Sequence, residues 1–310
     1  MIGSRSSDRR RRQGARTVPA HRLDASGDFL RRERCEVIVE EVLTVDVEGV
    51  DRYSLMWTPT QSVLEPVGYT ESDGLLAPSG ESEPLALAAG FCFTEGLIGA
   101  IEDVRSIAMC PGSSRTVRVQ LLDASRAIMR RRHGMVTSSC GLCGGRELIE
   151  NGVLGLNPVQ DALRIDGELL ANAISAMRER QVIFQRTGGA HAAAVFDSAG
   201  TVLAAAEDLG RHNAMDKVIG SCLLRRQSMA ACGVVLSSRL SFEMIVKAAR
   251  AGLELVAAVS APTSLAIEIA DRYGITLCGF VRDDQATLYT HERRVRDKPR
   301  ALAHHLASAG

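Results

Sequence analysis

The sequence has no apolar run approaching the roughly 18 residues that a membrane-spanning helix needs. Its longest apolar stretch, residues 253–270, is broken by Glu254, Pro262 and Glu268. The N-terminus carries charge where a secretory signal would carry an apolar core, which argues against export. Lysine is nearly missing, with three residues against 34 arginines. Formal net charge is zero, which removes the electrostatic attraction on which a general nucleic-acid binder depends. The eight cysteines form no dense framework and contain a single CxxC pair, which fits a reducing cytoplasm where thiols stay free for chemistry.

What is present suffices for a core. The 310 residues are 45% hydrophobic, enough for one large or two modest domains. Charge is unevenly spread: residues 1–34 hold ten arginines against four acids, and the remainder carries a net −6 (27 bases, 33 acids). The first 34 residues, with Arg9-Arg10-Arg11-Arg12, read as a disordered, solvated basic tail. Period-two alternation predicts a strand over 35–45 and its hairpin partner over 47–56. Residues 58–83 lose periodicity and read as an inserted loop. A helix over 85–95, strands over 101–108 and 116–122 with Cys110 in the turn between them, and a basic helix over 123–132 complete a mixed α+β N-terminal subdomain, 35–132.

The second part, 133–292, opens on Ser138-Ser139-Cys140-Gly141-Leu142-Cys143-Gly144-Gly145. By spacing alone, such a pair is a redox couple, half of a zinc site, a sulfur carrier or two quiet thiols. Beyond it we expect a helix over 161–177, a strand over 181–186, and a hairpin of 190–196 with 201–206. Asn213 is placed to cap a helix over 214–224. The final third then alternates: strand 233–237, helix 241–251, strand 255–260, helix 264–273, strand 275–281. Two crossovers of that length imply parallel strands with helices on their faces, so the fold is α/β. A tail over 293–310 follows.

Ligands of open α/β sheets bind beyond the carboxyl ends of the strands. Here those ends carry Ser238 and Arg239, Ser260 and Thr263, and Arg282, Asp283 and Asp284. Hydroxyls, guanidiniums and helix N-termini suit a phosphorylated or nucleotide-like ligand, although each hydroxyl taken singly is an ordinary cap. The polar run 207–217, with His212 and Lys217, and His191 after Thr187-Gly188-Gly189 are further ligand-binding candidates. A compact ammonium in place of the prevailing guanidinium marks Lys217 and Lys247.

Zinc fits badly. A structural site wants four ligands, and Cys92, Cys110, Cys222, Cys232 and Cys278 stand isolated. A zinc deaminase wants H-x-E and P-C-x-x-C, but Ala192-Ala193 follow His191 and Ser139 precedes Cys140. A thioredoxin-like exchanger would carry its CxxC early in a βαβ unit, not after some hundred residues of other structure. A sulfur carrier needs a thiol loop and a separate pocket for an anionic acceptor, and both are legible.

Seven strings then resemble the FdhD family of formate dehydrogenase accessory sulfurtransferases. They are 90–98 (GFCFTEGLI), 139–144 (SCGLCG), 187–191 (TGGAH), 207–217 (EDLGRHNAMDK), 238–243 (SRLSFE), 260–264 (SAPTS) and 278–282 (CGFVR), within a resemblance spanning 35–292. It implies a cytidine-deaminase-like central sheet, a homodimer and a cytoplasmic sulfur carrier. Such a carrier takes sulfur from a cysteine desulfurase as a persulfide and passes it to bis-molybdopterin guanine dinucleotide, bound as acceptor, before that cofactor enters formate dehydrogenase. By position Cys140 matches the persulfide cysteine and Cys143 its partner, while Phe280, Val281, Arg282, Asp283, Asp284 and Gln285 match the cofactor-binding stretch. The competing readings are a chaperone that holds the cofactor without carrying sulfur, and a thiol–disulfide oxidoreductase. The chain departs from the family pattern in its basic tail, in 40–43 without a proline, and in its longer 58–83 segment.

Overall fold

The structure, a computed structural model, describes residues 14–23, 30–60, 68–70, 74–75, 82–131, 156–282 and 285–296. It opens on an antiparallel ribbon, β1 (Ala15–Leu23) and β2 (Leu30–Ile38). The expected disordered tail over 1–34 is therefore corrected over 15–23 and 30–34, which belong to the ribbon. The single strand expected over 35–45 is corrected as well, because the chain breaks at 39–40 and resumes as β3 (Glu41–Val47). Two hydrogen bonds hold that break: Val39 N donates to Gly14 O at 2.8 Å, and Thr58 Oγ1 donates to Val39 O at 2.9 Å.

β3 pairs with β4 (Asp51–Trp57), and alternate residues Leu43, Val45, Val47, Tyr53, Leu55 and Trp57 are buried, the pattern of a sheet covered on one face. Within 58–83, expected to be loop throughout, lie two short strands, β5 (Gly68–Thr70) and β6 (Gly74–Leu75). With β7 (Val104–Met109) and β8 (Thr116–Leu121) they form a six-stranded sheet in the order β4-β3-β8-β7-β5-β6. Its helices are α1 (Glu83–Thr94) and α2 (Ala124–Arg131).

The C-terminal part begins with β9 (Ile165–Asp166) and α3 (Gly167–Glu179). This helix starts later than the expected 161 because Asp166 caps it, accepting from Leu169 N at 2.8 Å, while Asp161 pairs with Arg293 and Arg294. Residues 181–186, expected as a strand, are instead α4 (Val182–Thr187). A remote carboxylate decides this: Glu207 accepts from Ile183 N at 2.8 Å and Phe184 N at 2.9 Å, and Gly188 at φ +68° closes the far end. The hairpin of β10 (His191–Phe196) and β11 (Val202–Asp208) leads into α5 (Arg211–Leu224). Asn213 lies inside that helix, not at its cap; its amide donates to Met56 O and Asp208 Oδ1.

The last third follows the expected alternation: β12 (Gly233–Leu236), α6 (Phe242–Arg250), β13 (Leu255–Ala258), α7 (Ser264–Arg272) and β14 (Thr276–Arg282). β12, β13 and β14 are parallel, and β15 (Gln285–Thr290) returns antiparallel, giving the order β11-β10-β12-β13-β14-β15. The fold is α/β with a mixed six-stranded central sheet. Chain beyond 292, expected as tail, is ordered as far as β16 (Val295–Arg296), which pairs with β9. Arg294 is fully buried there, donating to Glu254, Thr276 and the carbonyls of Gln160 and Gly274.

α1 and α5 lie in one core that draws apolar residues from both sheets. Every residue of α1 is buried, so it has no polar face to show. Their backbones touch where Gly90 meets Gly220: an added Cβ would come within 1.9 Å of Asp216 O or 1.8 Å of Ala86 O. No described helix is long and apolar enough to cross a membrane.

Candidate functional site

The sheet topology brings five chain segments to one edge. β12 and β13 end there with Ser237–Arg239 and Ser260, β14 with Phe280–Arg282, while β10 begins there with His191 and β11 ends opposite it at Asp208. Backbone bonds stitch the edge together: Leu240 N donates to Ala261 O, Thr263 N to Leu240 O, and Phe280 N to Ser260 O. A cleft of about 430 Å³ opens beside it, lined by Phe184, Gln185, Gly188, Gly189, His191 and Ser237 among others.

His191 and His212 share this edge with Arg211, Arg239 and Arg282. Burial pulls the half-buried His191 below the usual imidazole range; Arg211 and Arg239 add to that effect and Asp208 opposes it. His212, the second residue of α5, is pushed down to about 4 by burial, with Lys247 and Arg211 adding to it against Glu243. Both rings therefore stand neutral beside guanidiniums at pH 7. Arg211 Nε is buried without a hydrogen-bond partner among the described residues. The α5 N-cap, Gly210, supplies no side-chain acceptor to the first amides of this 14-residue helix. Guanidiniums, a helix N-terminus and neutral imidazoles together suit an anion.

The sequence-derived candidates separate on this map. His191, His212, Ser238, Arg239 and Ser260 gather on the edge, with Arg282 and Gln285 paired across the β14–β15 turn. Phe280 stands there in the left-handed region, φ +53°, with its ring 43% exposed. Val281 departs from expectation: the strand period turns it into the core, 2% exposed, where it cannot meet a ligand. Thr263 is the N-cap of α7, accepting from Ala266 N at 3.2 Å. Cys140, Cys143, Asp283 and Asp284 lie outside the described residues.

Lys217 is the clearest reassignment. Its ammonium reaches Thr58 O, Glu83 Oε1, Glu207 O and Asp208 Oδ2 at 2.7–2.9 Å and is 2% exposed. Three N–H groups facing four acceptors leave nothing for a ligand. Burial acts to lower its pKa, and Asp208 and Glu83 more than reverse that. Lys247 repeats the arrangement with Asp216, Thr94 and Glu95. Both lysines fasten the N-terminal part to the C-terminal sheet.

Sequence reasoning passed over Arg211, Glu207 and Asp208 as individuals, although all three lay within the polar run 207–217. Ser237 belongs to the strand end already read as ligand-facing, and its hydroxyl accepts from Ala192 N at 2.8 Å.

Fold and edge together define an α/β protein with a basic, histidine-bearing rim at its strand tips. The chain belongs to the FdhD/NarQ family, whose model matches residues 79–296. It is 40% identical over 241 residues to the sulfur carrier protein FdhD of Bordetella bronchiseptica, covering 76% of this chain and 85% of that one. It is 36% identical over 283 residues to the protein of that name from Nocardia farcinica, covering 89% and 92%. The crystal structure of a proposed formate dehydrogenase accessory protein from Desulfotalea psychrophila shares the fold, with TM-score 0.69 at 20% identity over 91% of this chain and 99% of that one.

Proposed function

We propose that this protein is a sulfur carrier serving formate dehydrogenase. The Cys140 thiolate attacks the terminal sulfur of a desulfurase persulfide, the donor's S–S bond breaks, and the donor leaves as a thiolate. Cys140 then carries the sulfane sulfur to the molybdenum of a bis-molybdopterin guanine dinucleotide held at the strand-tip edge. Attack by the Cys143 thiolate on the inner sulfur of Cys140 releases the outer one as hydrosulfide and leaves a Cys140–Cys143 disulfide, which a cellular thiol reduces.

The observation that supports this reading most is the unpartnered Arg211 Nε beside Arg239 and two neutral imidazoles, on a chain 40% identical to a named sulfur carrier. Those groups match the pyrophosphate of a guanine dinucleotide. Twelve residues lie between Cys143 and Leu156, where the described chain resumes, an extended length of about 40 Å. That length permits the thiols to reach the edge.

The test is mass spectrometry after incubation with cysteine desulfurase and cysteine. A carrier gains about 32 Da on the CxxC peptide, and Cys140→Ala abolishes both that gain and dehydrogenase maturation in cells. The described edge consists wholly of binding groups, which favours one second reading, a cofactor-holding chaperone. Maturation that survives Cys140→Ala would select it.

A further inference from the structure

The β1–β2 ribbon serves neither core. It meets the rest of the protein at its base, where Ile38 packs against Gly189 and Glu36 pairs with Arg186 of α4 at 2.5 Å. Gly189 lines the cleft, so the ribbon rises from the cleft's rim. Cross-strand partners share a face, and the face of Ile38 and Glu36 also carries Arg34, Arg32, His21, Leu30 and Leu23 farther out. Leu23 and Leu30, opposite one another, are 66% and 68% exposed. Arg31, Arg32 and Arg34 pair with no acid among the described residues, and Arg22 faces Arg31 directly across the strands, a like-charge contact that costs stability. The two strands hold five arginines and two glutamates, a net +3, on a chain whose residues 35–310 sum to −6.

We propose that this ribbon is a docking arm for the apo-dehydrogenase, which it engages through an acidic surface surrounding an apolar recess. This inference rests on the function proposed above. The place argues for the acceptor: the arm stands at the rim of the cleft from which the cofactor must leave. The chemistry argues for a protein: an exposed apolar pair flanked by arginines suits a protein surface that is apolar at its centre and charged around it, whereas a nucleic-acid contact needs no apolar tip. Unpaired like charges along one ribbon steer an oppositely charged partner to the cleft.

Two doubly substituted full-length chains test it, Leu23→Ser with Leu30→Ser, and Arg32→Glu with Arg34→Glu. Binding to purified apo-formate dehydrogenase and to purified cysteine desulfurase is measured by interferometry, beside melting temperature and persulfide loading. Each pair is expected to weaken dehydrogenase binding about tenfold or more, the arginine pair also flattening its salt dependence. Melting temperature and the mass gain at Cys140 are expected to stay as in wild type, since the altered side chains are exposed. Unchanged dehydrogenase affinity, or loss confined to the desulfurase, overturns the arm's role while the function stands. A wild-type chain that gains no sulfur overturns both.

Discussion

Lys217 and His212 stand five residues apart on one helix and meet opposite electrostatic fates. The Lys217 ammonium is enclosed by Asp208, Glu83 and two carbonyls, so removing it strands two buried carboxylates. Lys217→Met is expected to lower stability by about 3–5 kcal/mol in urea titration, with Lys217→Arg failing to restore it because a planar fork cannot meet acceptors arranged around a point charge. His212 has charge withheld from it: Lys247 and Arg211 face the ring, with His191 beyond and Glu243 opposing. Its pKa is about 4 in the fold against 6.5 when free, so between those values the unfolded chain binds the proton and the native one does not. The stability from keeping the ring neutral is therefore complete above about pH 6.5 and is lost as pH falls toward 4. His212→Gln is expected to remove that component, seen as a shallower fall of melting temperature across the window than in wild type; equal slopes would contradict the assignment. Sequence gave Lys217 and His212 the same role, because local polarity cannot tell a ligand-facing group from one whose partners, Thr58 and Glu83, lie far away in the chain.

Among the elements, those with self-contained patterns were legible and those completed from afar were not. The run from β12 to β14 alternates apolar strands with amphipathic helices and folds as read, since the helices between the strands cover one face of them and α3 covers the other. α4 defeats the same reasoning because its decisive contact, the Glu207 carboxylate on its first amides, comes from another strand. The ribbon β1–β2 defeats it too, for arginine-rich composition hides pairing whose side chains are mostly exposed. Gly90 and Gly220 show no pattern within their helices, yet they set how closely α1 and α5 approach. Gly220→Ala places a methyl against the Ala86 carbonyl, backbone that cannot step aside without parting the helices. We expect a loss of about 3 kcal/mol or more by chemical denaturation, a cost of overpacking that Gly112→Ala does not provide a control for, since its φ of +78° is strained by itself. Gly167→Ala, with open space around it at the start of α3, is the proper control and is expected to be near neutral.

At the scale of the whole molecule, the zero net charge conceals a division of labour. Acids outnumber bases beyond residue 34, and the lysines at 217 and 247 are consumed by internal pairs, so the basic character at the strand tips depends on a few arginines. Arg211 and Arg239 both act on His191, which lines the cleft, so their charges are felt there. An anionic ligand approaching an otherwise acidic body is thus drawn to one place, and the field there is strongest where water is scarce. Replacing both arginines by glutamine keeps their hydrogen-bonding capacity in part and removes the field. Arg211→Gln with Arg239→Gln is expected to weaken GDP, the guanine end of the proposed acceptor, about tenfold or more in calorimetric titration, and to flatten the dependence of that affinity on salt. Stability should change little, because Arg239 is exposed and Arg211 Nε has no hydrogen-bond partner among the described residues. Equal GDP affinity at low salt would mean that the edge does not hold the nucleotide, and the acceptor site would then have to be sought away from His191.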